Sequence, residues 1–226
     1  MDGKPPVSLG AKLWPDWFGR NVVVATSARV AMSAARALAG VVVPVYLALA
    51  GYSAFRLGLL FVVVGIASAL LSTAVGFLSD RVGRKGFLVG VPLLAFAAGL
   101  AYAFSLDPVV VFIAAAVGSF GRGGGVGGGS VGPYAPAEQA LVAESVAPAH
   151  RNAAFGRLGF GSSIGAVLGS LLAAGLVRGR PARAQVLAAY RPDFLALAAC
   201  ALAAGLLGLL LTEPGRAGPT GAESAG

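Results

Sequence analysis

Six stretches of predominantly apolar residues, each long enough to cross a lipid bilayer, leave this chain little else to fold into. They run approximately over 21–50, 54–78, 87–106, 109–134, 153–177 and 194–212. Roughly 20 apolar residues in an α-helix span the hydrocarbon core, and a helix satisfies every backbone N–H and C=O within its own segment, which hydrocarbon demands. Composition agrees: 57% of the 226 residues are hydrophobic and 12% are charged, against about a quarter charged in soluble domains. The sequence predicts an all-α integral membrane protein. A six-transmembrane-helix bundle is expected over 21–212, with a cytoplasmic lead-in over 1–20 and a flexible cytoplasmic tail over 213–226.

A net charge of +8 on a soluble protein would suggest nucleic acid, but here most Lys and Arg residues lie in turns and at segment ends, where they set orientation. No nucleic-acid partner is expected. With both termini cytoplasmic, nine basic residues lie inside (Lys4, Lys12, Arg20, Arg81, Arg84, Lys85, Arg151, Arg157 and Arg216). Five lie outside (Arg56, Arg178, Arg180, Arg183 and Arg191) and three within the membrane. The bias favours this orientation in the cell membrane. Trp14 and Trp17 in the lead-in suit an interfacial approach to the first span, and the polar, Pro-rich start does not read as a cleavable signal. Cys200 is the one cysteine, so neither an internal disulfide nor a cysteine metal site is expected.

Three arginines fall inside apolar segments. Arg29 and Arg36 are seven residues apart and share one face of the first span, and Arg122 lies within the fourth. A charge at such depth is costly unless it faces the bundle interior or a watery cavity. Glu138 and Gln139 follow the fourth span, where Glu138 reads as lying too near its end to neutralise the arginines. The expectation is an uncompensated positive cavity suited to a polar or anionic small solute, with Tyr46 near the far end of the first span as a further lining candidate. Between Gly118 and Gly132, nine of fifteen residues are glycine, and a bent or broken helix is expected there. Gly161, Gly165 and Gly169 recur at four-residue steps, a small-residue face for close helix packing.

Between the second and third segments runs Gly76-Phe-Leu-Ser-Asp80-Arg81-Val-Gly83-Arg84-Lys85. Gly76 and Gly83 allow close approach and a tight turn, and Asp80 with Arg84 and Lys85 can form charge-assisted hydrogen bonds. This run resembles the Gly-x-Leu-x-Asp-Arg-x-Gly-Arg-Lys signature of the major facilitator superfamily, in the position the family places it. Pro136 to Glu144, with Pro148 and Arg151, resembles the family's connection between the fourth and fifth spans. Arg122 resembles the family's Arg-x-x-Gln-Gly element, although Gly125 stands where glutamine would, so the proton-relay role of that element does not carry over. Ser170 replaces the proline that follows Gly169 in the family's fifth-span element, which argues against the drug/proton antiporter subgroup. Gly65–Gly76 echoes Gly165–Gly175 faintly, as the inverted three-plus-three repeat of such halves would.

The resemblance implies the N-terminal six-helix half of a transporter working by alternating access, with a cavity lined by spans 1, 2, 4 and 5. Asp80 would then act as part of a cytoplasmic latch between halves, and a second half, from another chain or a second copy, would complete the machine. A non-transporting membrane scaffold or regulatory subunit is the alternative. No cofactor or metal is expected, and no enzyme activity. Gly161-Ser-Ser163-Ile-Gly165 lacks the strand-turn-helix setting and histidine partner of a nucleophile elbow, and Gly123 to Gly128 follows no strand that would make it a dinucleotide loop.

Overall fold

The computed structural model describes residues 19–118, 133–176 and 185–212. The lead-in, the Gly-rich run with Arg122, the loop carrying Arg178, Arg180 and Arg183, and the tail lie outside these described residues, as do the side chains of Asp80 and Val82. Seven helices carry the fold: α1 (Arg20–Leu49), α2 (Ala54–Val82), α3 (Arg84–Phe104), α4 (Pro108–Gly118), α5 (Tyr134–Ser145), α6 (Arg151–Leu176) and α7 (Val186–Leu209). Five of them, α1, α2, α3, α6 and α7, are long and apolar enough to cross a membrane. The described residues contain no strand.

Local chemistry sets the helix starts. The Ser53 hydroxyl accepts from the Arg56 N–H at 3.3 Å at the head of α2. Asp107 Oδ1 accepts from Val109 N at 2.8 Å and Val110 N at 3.2 Å at the head of α4, whose first residue is Pro108. Both are side-chain caps for otherwise orphaned donors, and proline at the first helical position gives up no bond.

The short basic turn expected between the second and third spans is shorter still. Helix α2 continues to Val82 and α3 begins at Arg84, leaving Gly83 as the connection, at φ 114° and ψ 143°. A side chain is strained at such a positive φ and glycine is not. Arg81 therefore sits in the last turn of α2, where a cation meets the negative end of the helix dipole.

Helix α1 is the central element, packed against α6 on one side and α7 on another, while α3 packs against α7 and α4. At the end carrying the Gly83 turn, Asn21 Nδ2 donates to the Thr212 carbonyl at 2.8 Å and to Ser145 Oγ at 3.3 Å. Asn21 Oδ1 in turn accepts from Thr212 N at 3.1 Å. This clasp joins the start of α1 to the ends of α5 and α7, and defines the signature end of the bundle.

The far end is aromatic. Tyr46 meets Phe194 edge-on at 4.8 Å between ring centroids, and Tyr102 stacks on Phe194 at 5.1 Å. The Tyr102 hydroxyl donates to the Val111 carbonyl at 3.3 Å, which ties α3 to α4. Two buried clusters follow from these ends. One joins α1, α3, α4 and α7 around Leu38, Tyr46, Tyr102 and Leu197. The other gathers Val22, Leu88, Tyr134, Leu141 and Leu158 near the signature end.

The α1–α6 interface is a close one, and the expected small-residue face lies in it. A Cβ at Gly161 would stand 2.9 Å from Thr26 Cγ2, and Cβ atoms at Gly165 and Gly169 would overlap the Val30 and Ala34 carbonyl oxygens. Close approach at Gly76, also expected, is not found among the described residues: a Cβ there would meet nothing within 4 Å. The last span begins eight residues before its expected start, at Val186, and brings Tyr190, Arg191 and Asp193 into helix.

Candidate functional site

Thr26, Arg29, Ser33 and Arg36 recur on α1 at steps of three and four residues, so they form one polar line along an otherwise apolar helix. Arg29 is 3% exposed and Glu138, on α5, is fully enclosed. Arg29 Nε donates to Glu138 Oε2 at 2.6 Å, and its terminal NH2 group pairs with the same oxygen. Glu138 Oε1 accepts no hydrogen bond. Tyr134, one helical turn before Glu138 on the same helix, is buried with an unpartnered hydroxyl. One turn along α1, Ser33 Oγ and Ser162 Oγ on α6 share a hydrogen bond of 3.0 Å. Three helices thus meet at a polar core inside the bundle.

This arrangement corrects the expectation that Arg29 faces a cavity without a carboxylate. Glu138 lies seven residues before the last residue of α5, about 10 Å along the axis at 1.5 Å per residue, and reaches Arg29 across the interface. A buried pair of this kind offsets two desolvation costs that neither charge could meet alone, so Arg29 no longer counts toward a positive cavity.

The other candidates divide. Arg36 is half-buried two turns beyond Arg29, and Gln139 is exposed beside its buried neighbour Glu138. Tyr46 belongs to the far-end aromatic cluster, where its hydroxyl donates to the Ser105 carbonyl at 3.4 Å. Arg122 lies outside the described residues. At the signature end, Arg84 pairs with Glu144 at the end of α5. That contact compensates a cation in the first turn of a helix, where the dipole disfavours it. Arg81 is exposed and Lys85 half-buried.

Sequence reasoning missed Glu138 as a partner, the Ser33–Ser162 bond and the buried Asp193. Asp193 was legible in principle, being an acid flanked by Tyr190 and Phe194 at helical spacing. Among the described residues no group of three or more His, Cys, Asp or Glu side chains could hold a metal ion.

Five membrane-length helices around a buried polar core define a multi-pass integral membrane protein. The sequence profile of the Major Facilitator Superfamily matches residues 25–226, and the chain belongs to that family of membrane transporters. Comparison with curated proteins and with solved structures returned no match.

Proposed function

We propose that this chain is one six-span half of a solute transporter that works by alternating access, completed by a second bundle from another chain or from a second copy. The family match, which runs from residue 25 to residue 226, carries this reading. Helix α4 starts at the far end and α5 finishes at the signature end, which supports a sixth crossing between them and, with it, two three-helix repeats. The signature end is cytoplasmic in the cell membrane, in keeping with the nine-to-five distribution of basic residues.

Helix α2 packs into the bundle through a narrow stripe, Leu60, Val64, Ser68, Val75 and Ser79. Its other faces present Phe55, Val62, Ile66, Leu70 and Phe77, and Gly76 has no close neighbour among the described residues. A second bundle docked along α2 and α6 would use both features, with Asp80 latching the two signature ends. The solute is small and polar. Arg36 and Arg122 are the candidate contacts for it, since Arg29 is committed to Glu138.

Counterflow into proteoliposomes, with a panel of labelled sugars, amino acids and organic acids, tests the reading. Saturable exchange of one solute class is expected, with at least a severalfold loss on Arg36→Ala. A chain that exchanges nothing in densely loaded vesicles, yet retains a specific protein partner on purification, would be a scaffold instead.

A further inference from the structure

Asp193 is the second buried carboxylate among the described residues and has no part in the Arg29–Glu138 core. It stands seven residues into α7, about 10 Å from that helix's far-end start, and is 1% exposed. Its Oδ1 accepts no hydrogen bond. Arg191, the nearest cation in sequence, turns elsewhere: its Nε donates to the Ala103 carbonyl at 3.3 Å and its guanidinium lies 4.9 Å from the Phe104 ring centroid.

Two further polar atoms at this end are buried without a partner. One is the hydroxyl of Tyr190, three residues before Asp193 and hence on the same side of α7. The other is the hydroxyl of Tyr52, in the turn that follows α1. Tyr190 also meets Tyr46 at 5.8 Å between centroids, so it borders the far-end aromatic cluster. A buried carboxylate at membrane depth needs a positive partner, and an acceptor oxygen enclosed without a donor is rare in folded proteins.

We propose that Asp193, with the unpartnered Tyr190 hydroxyl on the same side of α7, is the acceptor for one small cation, a proton or a sodium ion, at the far end of the bundle. Binding adds the cation to the carboxylate and changes no other bond. The inference does not depend on the transport reading, because an ion can bind to a bundle that carries no solute.

The titratable and charged groups of this end are few. Tyr190 and Arg191 come from α7, Tyr46 from α1, Tyr52 from the turn after it, Arg56 from the exposed first turn of α2, Tyr102 from α3 and Asp107 from the residue before α4; the charged residues of α6, Arg151 and Arg157, begin that helix at the signature end. Arg178, Arg180 and Arg183 precede α7 outside the described residues and keep their charge at any working pH. The one histidine of the chain, His150, is at the signature end, so a response between pH 5 and 8 at the far end has no histidine to explain it.

The test uses the purified full chain in lipid nanodiscs. Dicyclohexylcarbodiimide, which modifies protonated carboxyls in apolar surroundings, is applied across pH 5 to 8 in sodium chloride or choline chloride of equal ionic strength, and modification of Asp193 is followed by mass spectrometry. Protection by sodium at fixed pH identifies sodium. A rate that falls by about tenfold per pH unit above a titration midpoint, alike in sodium and choline, identifies the proton. Thermal unfolding provides the second reading: the melting temperature of the wild type should follow the same cation, and Asp193→Asn should remove that dependence. Labelling and melting that ignore both cations, or a dependence that survives in Asp193→Asn, overturn the proposal.

Discussion

Arg29 and Glu138 are buried charges of opposite sign in direct contact, and each makes the other tolerable. Breaking a buried pair from one side leaves an uncompensated charge and costs about 3–5 kcal/mol, whereas replacing both partners with apolar groups of similar volume is often close to neutral. Arg29→Met and Glu138→Leu should therefore each lower stability by about that amount, and the double variant should recover most of the loss. Unfolding in mixed detergent micelles measures this cycle, and strictly additive losses would rule out the pairing. The sequence made Arg29 legible as a membrane charge, because a cation in an apolar window is conspicuous. Its partner was hidden for a physical reason: the apolar window of the fourth span ends near Pro133, yet the chain is helical from Tyr134 to Ser145, which carries Glu138 inward. Asp193 carried a spacing signal but sits in an Arg191-Pro192-Asp193 run that reads as a boundary, whereas Tyr190, Phe194 and Leu197 bury one continuous helical face through it.

At the scale of elements, α1 and α6 are held together by backbone approach rather than by side-chain volume. The glycine repeat at 161, 165 and 169 was readable because four-residue spacing keeps small residues on one face. The second close interface, where Gly99 meets Leu197 and Gly208 meets the Leu88 carbonyl, was not, since Gly99 has no glycine within a turn of it on α3 and Gly205 with Gly208 makes a single pair on α7 rather than a repeat. The two kinds of glycine predict opposite outcomes. Gly165→Ala and Gly169→Ala force a methyl group onto an α1 carbonyl and should cost about 1–3 kcal/mol. Gly159→Ala, where a Cβ meets nothing within 4 Å, should be neutral or add about 0.5–1 kcal/mol through better helix propensity. Melting temperatures of the three variants in one detergent decide the matter; a loss at Gly159 equal to that at Gly165 would contradict the packing described. Helix ends were the least legible feature, since Gly83 alone joins α2 to α3 and charged residues near it extend both helices.

The whole molecule is a bundle with one well-enclosed side, where α1, α3 and α7 meet, and one sparsely covered element, α2. The sequence disclosed the membrane class through its apolar lengths and the family through the ordered signature from Gly76 to Lys85, because both are written in consecutive residues. It did not disclose which charges neutralise one another, because that depends on contacts between distant spans. A half of the kind proposed transports only when paired with a second bundle. Reconstituting the chain at dilutions from many copies to fewer than one per vesicle, and measuring saturable counterflow of the solute it exchanges, tests that most directly. Where the second bundle is another copy of this chain, uptake should rise with the square of copy number and vanish in vesicles holding a single bundle, and where it is a different chain no uptake should appear at any density; saturable uptake by single-copy vesicles, rising in direct proportion to their number, would overturn the half-transporter reading.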